Sequence, residues 1–154
     1  MKNVVFVCTG NICRSPMAEG FLAHQKNRAL PSGWEVSSAG LAAPEGQPPS
    51  YHSVDVMREV GIDISHQRSC MLTAEQVMNA DRIFVMTYGH LDTLLMLFPE
   101  ASEKCFLVRQ FLSDDAVFKQ EISDPIGQSE DVYRACRDEI REAIPSIIDH
   151  LKKI

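Results

Sequence analysis

A cysteine and an arginine stand six residues apart in the segment Cys8-Thr9-Gly10-Asn11-Ile12-Cys13-Arg14-Ser15. A cysteine thiolate can attack phosphorus, and the planar guanidinium of an arginine can hold two phosphate oxygens at once. Lysine cannot supply that forked geometry, and a serine in place of Cys8 would lack an accessible anion near neutral pH. These residue types predict phosphate chemistry with Cys8 as the nucleophile. The ordinary alternative for Cys8 is a small buried apolar side chain at the end of a strand.

The elements on either side of this segment favour the chemical interpretation. Val4-Val5-Phe6-Val7 is a continuous apolar run, typical of a strand that is covered on both faces of a parallel sheet. Ser15-Pro16 then begins a helix, with serine as the N-cap and proline at the first helical position. Backbone amides between a strand and a helix N-terminus can curl around an anion. We therefore expect an anion-binding loop whose field favours the thiolate form of Cys8.

Asp124, which is followed by Pro125, is the candidate proton donor. Displacing an alkoxide or phenoxide from phosphorus needs a proton for the leaving oxygen, and clearing a phosphocysteine later needs a base for water. One carboxyl group can serve both steps. Proline stiffens an exposed turn, and Gly127 allows that turn to fold over a pocket. Taken alone, however, an Asp-Pro pair is more often only a turn.

The rest of the chain alternates strands with helices. Further strands are predicted at 34–37, 82–86 and 105–108. A capping box at Thr73 predicts a short helix, and an apolar face from 132 to 151 predicts the longest one, with a kink or break at Pro145. Such alternation implies parallel strands with right-handed crossovers. We expect a small three-layer α/β/α sandwich with a central four-stranded parallel sheet, and a ligand site beyond the carboxyl ends of the strands.

Composition and charge bound the class of protein. The 154 residues suit one compact domain, and we expect residues 1–154 to form it. A net charge of −6 argues against a large basic surface for nucleic acid. Five cysteines without a C-x-x-C pair argue against a disulfide framework and against a zinc site, and free thiols fit a reducing compartment. The apolar run before Cys8 is too short for a signal peptide or a membrane span, so a cytoplasmic location is expected.

Several of these residues carry a resemblance to a known family. The thirteen positions from Val7 to Glu19, together with Ser38-Ala39-Gly40 and Asp124-Pro125, resemble the low-molecular-weight protein tyrosine phosphatase family over most of the chain. The resemblance implies that the catalytic residues are Cys8, Arg14 and Asp124. It implies a substrate-binding loop that contains Thr9, Gly10, Asn11, Ile12, Cys13 and Ser15. In this family an asparagine, two serines and a histidine form a hydrogen-bonded frame beneath the loop. The resemblance assigns these places to Asn11, Ser15, Ser38 and His66.

The activity implied by this resemblance is hydrolysis of phosphotyrosine in proteins through a phosphocysteine intermediate. The expected protein is a single cytoplasmic phosphatase domain that needs no metal and no other cofactor. Its expected partners are phosphorylated protein substrates, with inorganic phosphate as the product, and neither nucleic acid nor membrane insertion is expected.

The family divides by substrate, and the sequence points in two directions. Ile12 resembles the tyrosine-specific members, which carry an aliphatic residue there, whereas arginine phosphatases carry threonine. An aliphatic side chain offers an apolar wall to an aromatic ring. Three other segments resemble the arginine phosphatase branch more closely: Met86-Thr87-Tyr88-Gly89-His90, Asp124-Pro125-Ile126-Gly127 and Asp131-Val132-Tyr133. Ile12 weighs more because it would touch the leaving group. Phosphotyrosine is therefore the expected substrate, and phosphoarginine is the alternative.

Two further alternatives belong to other classes. Arsenate reductases of this fold use a further pair of cysteines about one or two helical turns apart, and Cys70 and Cys105 do not form such a pair. A phosphate-binding or redox-sensing module without turnover would need no proton donor, so Asp124 argues against it. Cys13 is close enough along the chain to form a reversible disulfide with Cys8, or it only packs under the loop.

Overall fold

The computed structural model describes residues 1–112 and 120–154 and contains one parallel sheet. The elements are β1 (Lys2–Cys8), α1 (Arg14–Ala29), β2 (Trp34–Gly40), α2 (Tyr51–Arg58), α3 (Ala74–Asn79), β3 (Arg82–Val85), α4 (Tyr88–Leu97), a 3-10 turn (Pro99–Ala101), β4 (Cys105–Leu107) and α5 (Glu130–Leu151). The strand order is β2-β1-β3-β4, and all three neighbouring pairs are parallel. The predicted four-stranded parallel sheet is confirmed.

Alternate residues of β1 point to opposite faces of the sheet, and both faces are covered. Val4 and Phe6 belong to the core formed with α1, α2 and α5, whereas Val5 and Val7 belong to the core formed with α3 and α4. All four side chains are at most 3% exposed. The predicted three-layer arrangement follows from this double burial, because a strand that is apolar at every position needs a helical layer on each side.

The start of α1 differs from the prediction. The helix begins at Arg14, with Cys13 in the N-cap position and no side-chain capping bond. Ser15 lies within the first turn, where its hydroxyl oxygen is 3.0 Å from Cys8 Sγ. The prediction of Ser15 as the N-cap is wrong because its hydroxyl faces the preceding strand end and not the amides of the helix.

Helix α5 continues through Pro145, where the sequence predicted a kink or a break. Ile140, Ile144 and Ile147 on its apolar face are fully buried against the sheet. Burying one aliphatic side chain contributes about 1.5–3 kcal/mol, and an interior proline costs roughly 3 kcal/mol. Burial of this face therefore outweighs the missing backbone bond, and the helix does not break.

The segment that leads to Asp124 passes the carboxyl end of β3. The amide of Ile122 donates to the carbonyl of Met86 at 2.9 Å. Because parallel strands present their carboxyl ends at one edge, this bond brings Asp124 to the loop that follows β1. Within the two described stretches of chain, no helix combines the length and the apolar character needed to cross a bilayer.

Gly40 ends β2 directly beneath the loop that follows β1. Its amide donates to the carbonyl of Cys70 at 2.9 Å. A Cβ on residue 40 would lie 2.6 Å from Thr9 O, 2.7 Å from Ala43 Cβ and 3.1 Å from Asn11 N. Two of these atoms belong to the backbone and cannot rotate away. The strand and the loop therefore approach this closely only because residue 40 has no side chain.

We predict that Gly40→Ala destabilises the fold by about 1–3 kcal/mol, the usual cost of overpacking a tight contact. Urea unfolding measures the change. Gly89→Ala is the matched control, because its Cβ would meet only Thr87 Oγ1 at 3.6 Å, which is an ordinary contact. A Gly40→Ala variant as stable as the wild-type protein would contradict the predicted clash.

Candidate active site

Asn11 bends the loop by adopting a left-handed backbone conformation, with φ of 56°. Asparagine is one of the few residues that tolerate this conformation. Its buried side chain donates from Nδ2 to Ser15 Oγ at 2.8 Å and to Ser38 Oγ at 2.9 Å, and its Oδ1 accepts from the amide of Cys70 at 3.0 Å. The structure thus brings together three of the four residues predicted for the frame.

Cys8 lies at the end of β1 and is 2% exposed. Ser15 Oγ is 3.0 Å from its sulfur and also accepts a hydrogen bond from Asn11 Nδ2. A hydroxyl has one proton to donate. Because Ser15 accepts from Asn11, that proton is free to point toward the sulfur of Cys8.

The frame continues to Glu19, which the sequence pattern did not identify as a site residue. Ser38 Oγ donates to Glu19 Oε1 at 2.7 Å. Burial raises the pKa of Glu19, and the hydrogen bond from Ser38 and the charge of His66 oppose that shift. His66, predicted as a frame residue, is exposed and acts on Glu19 through its charge. Glu19 follows Ser15 by four residues on α1, and this helical spacing was the available signal.

Arg14 is 3% exposed, and its guanidinium is only partly occupied by protein groups. Nη1 donates to the carbonyl of Ile122 at 2.8 Å, and Nη2 lies 3.6 Å from Asp124 Oδ2. Nε is buried and has no hydrogen-bond partner in the described part of the chain. Leaving a buried donor unpaired costs about 1–3 kcal/mol. The open side of the guanidinium can therefore bind the oxygens of an anion.

Asp124 faces Arg14 from a tight turn. Its Oδ1 accepts from the amide of Ile126 at 3.1 Å, and the amide of Gln128 donates to the carbonyl of Pro125 at 2.9 Å. The Asp-Pro pair therefore forms the turn that its composition indicates. The same turn holds the carboxylate beside Arg14 with 42% of the side chain exposed, so Asp124 remains open to a ligand and to water.

These groups surround a cavity of about 280 Å³. The cavity is lined by Cys8, Thr9, Gly10, Ile12, Cys13, Arg14, Ala42, Pro44, Asp124 and Ile126. Ala42, Pro44 and Ile126 are the lining residues that the sequence did not single out. A larger cavity of about 430 Å³ is lined by Met1, Asn3, Val5, Ser37, Glu75, Gln76 and Asn79. Its lining residues include neither a cysteine nor a cationic side chain, so the smaller cavity is the candidate site.

Cys13 connects the loop to α2 and α5. Its sulfur lies 3.4 Å from the hydroxyl of Tyr133 and 3.6 Å from Ser50 Oγ. Burial raises the pKa of the Cys13 thiol, and burial also raises the pKa of Tyr133 to about 12. These contacts show that the side chain of Cys13 packs behind the loop. Both Cys8 and Cys13 are free thiols here, and a reversible disulfide between them stays a prediction.

Comparisons with known proteins agree with this architecture. Residues 3–154 match the profile of the low molecular weight phosphotyrosine protein phosphatase family. A protein-arginine-phosphatase of Geobacillus stearothermophilus is 43% identical over 149 residues, which cover 97% of this chain and 95% of that protein. The low molecular weight protein-tyrosine-phosphatase Etp of Escherichia coli K12 is 34% identical over 132 residues, covering 86% of this chain and 82% of that protein.

A solved structure gives the same result for the fold. The YwlE arginine phosphatase from Geobacillus stearothermophilus superimposes with a TM-score of 0.87 at 40% identity, covering 99% of this chain and 94% of that chain. The fold and the family profile together define the class of this chain as a protein phosphatase. The chain belongs to the low molecular weight phosphotyrosine protein phosphatase family.

We predict a pH-dependent contribution of Glu19 to stability. Its pKa in the folded protein lies above the value of 4.5 expected when it is exposed, so the folded state favours the protonated form. The wild-type protein should therefore lose stability relative to Glu19→Gln as the pH rises from 4.5 through the folded-state pKa. Glutamine keeps the acceptor for Ser38 and cannot ionise.

Urea unfolding of both proteins at several pH values measures this difference. Other titrating groups are common to both proteins and cancel in the comparison. A stability difference that does not change with pH would contradict the predicted burial of the Glu19 charge.

Proposed function

We propose that the protein is a protein tyrosine phosphatase in which Cys8 is the nucleophile, Arg14 binds the phosphoryl group and Asp124 is the general acid and base. The observation that carries this proposal is the meeting of the three side chains in one cavity, with Arg14 Nε buried and unpaired by the described residues. Phosphate-ester hydrolysis requires a nucleophile, a group that binds the phosphoryl oxygens and a proton donor.

In the first step, the thiolate of Cys8 attacks phosphorus and forms a sulfur–phosphorus bond. The bond between phosphorus and the leaving oxygen breaks with its electron pair on oxygen, and Asp124 donates a proton to that oxygen. In the second step, the Asp124 carboxylate takes a proton from water as the water attacks phosphorus. The sulfur–phosphorus bond then breaks, the Cys8 thiolate is regenerated and inorganic phosphate is released.

Arg14 and the backbone amides of the loop stabilise the transferring phosphoryl group. The transferring phosphoryl group spreads its charge over three equatorial oxygens, and fixed donors stabilise it without reorganising during the reaction. Ser15 supports the second step, because its hydroxyl can donate a hydrogen bond to the Cys8 sulfur as the sulfur–phosphorus bond breaks. The side chains of Asn11 and Ser38 hold these groups in place through their hydrogen bonds.

The walls of the cavity support phosphotyrosine as the substrate. The apolar walls of the cavity are formed by Ile12, Ala42, Pro44 and Ile126. They surround a polar floor, by which we mean Cys8, Arg14 and the loop backbone between them. An apolar slot of this kind suits the face of an aromatic ring, whose hydrogen-bonding needs are confined to the phosphate ester oxygen. Ile12 lies next to the floor residues along the loop, so it is the wall residue that we expect to contact the ring.

Phosphoarginine is the second candidate substrate, because of the 43% identity to a protein named as an arginine phosphatase. A guanidinium leaving group carries several N–H donors. Asp124 is the acidic side chain that lines the cavity, whereas Ile12 offers no acceptor. An N–H group buried against an apolar wall costs about 1–3 kcal/mol, so the Ile12 wall favours phosphotyrosine.

The remaining cysteines support a hydrolase over an arsenate reductase. Cys105 is buried in β4, and burial raises the pKa of its thiol to about 12. Cys70 lies under the loop with its sulfur 3.6 Å from the carbonyl of Ser38. Neither thiol lines the cavity that contains Cys8. A sensor without turnover would not need the partly exposed carboxylate of Asp124 beside Arg14.

Organisation and location are part of the proposal. We propose that residues 1–154 form a single phosphatase domain that acts in the cytoplasm on phosphorylated proteins. Five free cysteines support a reducing compartment. The net charge of −6 supports protein rather than nucleic acid as the partner.

Replacing the nucleophile and the acid should have different effects. Cys8→Ser should abolish turnover of p-nitrophenyl phosphate, because serine supplies no thiolate. Asp124→Asn should lower kcat by about 10²–10⁴-fold, the usual contribution of a general acid, and should still bind inorganic phosphate as a competitive ligand. Steady-state kinetics and phosphate titrations measure both effects. Turnover by Cys8→Ser at the wild-type rate would overturn the assignment.

The substrate can be identified by the ratio of kcat/KM for a phosphotyrosine peptide to kcat/KM for the matching phosphoarginine peptide. We expect a ratio well above one for the wild-type protein. Ile12→Thr should lower the ratio by about ten-fold, because one added hydrogen bond to a guanidinium is worth about 1–1.5 kcal/mol. Leu97→Thr, at an exposed position near the end of α4, is the control and should leave the ratio unchanged.

A wild-type ratio below one would assign the enzyme to phosphoarginine. In that case Ile12 would not determine the substrate, and the other segments of the cavity wall would outweigh it.

A further inference from the structure

His90 lies at the start of α4 and contacts the loop that follows the nucleophile. Its Nε2 is 2.8 Å from the hydroxyl oxygen of Thr9, the residue directly after Cys8. His90 is only 8% exposed. Its amide donates to Thr87 Oγ1 at 3.1 Å, so the N-cap of α4 fixes the backbone that carries it.

Charged groups surround this imidazole on several sides. Burial and then the charge of Arg14 lower the pKa of His90 to about 4, and the carboxylates of Asp124 and Glu121 oppose that shift. His90 is therefore neutral at physiological pH and adds no charge to the site. It lies within the electrostatic reach of both the arginine and the acid that we assign to phosphoryl transfer.

The unpaired ring nitrogen identifies the tautomer. Nδ1 of His90 is buried and has no hydrogen-bond partner among the described residues. A neutral imidazole carries one N–H, and a buried N–H without a partner is rarer than a buried lone pair without one. The proton therefore belongs on Nε2, from which it is donated to Thr9 Oγ1. The hydroxyl of Thr9 then keeps its own proton to donate.

We propose that His90 is a positioning residue for phosphate binding, which holds Thr9 and the first peptide unit after Cys8 in the conformation that receives the phosphoryl oxygens. Thr9 lines the cavity and is joined covalently to the nucleophile. A rotation of its backbone would move the first amide that follows the sulfur. The inference rests on the proposed role of the loop as the phosphate site, and it does not depend on whether tyrosine or arginine carries the phosphate.

A purely structural role is the alternative. His90 packs between α4 and the strand ends, so its loss would then reduce stability and leave phosphate affinity in the folded protein unchanged. Affinity for phosphate and thermal stability therefore have to be measured on the same variants.

The test uses His90→Leu, His90→Gln, Thr9→Val and the His90→Leu/Thr9→Val double variant. The competitive inhibition constant of inorganic phosphate against p-nitrophenyl phosphate is measured, together with kcat, KM and Tm. His90→Leu and Thr9→Val should each raise that constant by about three- to ten-fold, the range of one neutral hydrogen bond. The double variant should show the effect of one single variant and not the product of the two.

His90→Gln should recover part of the phosphate affinity, because its amide nitrogen reaches a position similar to that of Nε2. His24→Leu, at an exposed position of α1, is the control and should match the wild-type protein. An unchanged inhibition constant in His90→Leu would overturn the inference, and so would effects that multiply in the double variant. If His90→Leu does not fold, Thr9→Val and His90→Gln still decide the question.

Failure of this inference is distinguishable from failure of the proposed function. Turnover by Cys8→Ser would remove the proposed nucleophile, whatever the His90 variants do. Normal phosphate affinity in the His90 variants, with Cys8→Ser inactive, would remove only the role of His90.

Discussion

Asn11 holds a left-handed backbone conformation in the middle of the loop that joins β1 to α1, and two buried hydrogen bonds and one partly buried hydrogen bond keep it there. A left-handed residue costs about 1–2 kcal/mol, and each buried hydrogen bond returns about 0.5–1.5 kcal/mol. The bonds therefore outweigh the strain. The three hydrogen bonds of Asn11 join the loop to α1 at Ser15, to β2 at Ser38 and to the backbone at Cys70. The bend of the loop therefore depends on all three bonds.

A second set of contacts brings Asp124 to the loop that contains Cys8. Ile122 bonds through its amide to the end of β3 and through its carbonyl to Arg14. One residue earlier, the carboxylate of Glu121 accepts from the amide of Tyr88 at the start of α4. The segment that carries Asp124 is therefore attached to the strand end, to the helix start and to Arg14. The start of α4 also contacts the loop after Cys8, through the hydrogen bond between His90 and Thr9.

In the proposed mechanism, the residues that bind the phosphoryl group are different from the apolar residues that would contact the leaving group. One set of catalytic residues can therefore act on different substrates. In that mechanism, Cys8, Arg14 and the loop amides act on the phosphoryl group, which phosphotyrosine and phosphoarginine share. Discrimination must therefore come from groups that contact the leaving group. In this cavity those groups are Asp124 and the apolar walls, and Ile12 is the wall residue that belongs to the loop itself.

The sequence by itself determined the elements that depend on local pattern. The apolar run of β1 and the capping box at Thr73 appear in the structure as predicted, and a loop follows β1 although α1 begins earlier than expected, at Arg14. Burial periodicity and turn chemistry are properties of neighbouring residues. Only the tertiary structure decided which distant groups meet. His90 joined the site through a contact with Thr9 that closes a long stretch of chain. Such contacts leave no local pattern, because they depend on the packing of helices on the sheet and not on the spacing of residues along it.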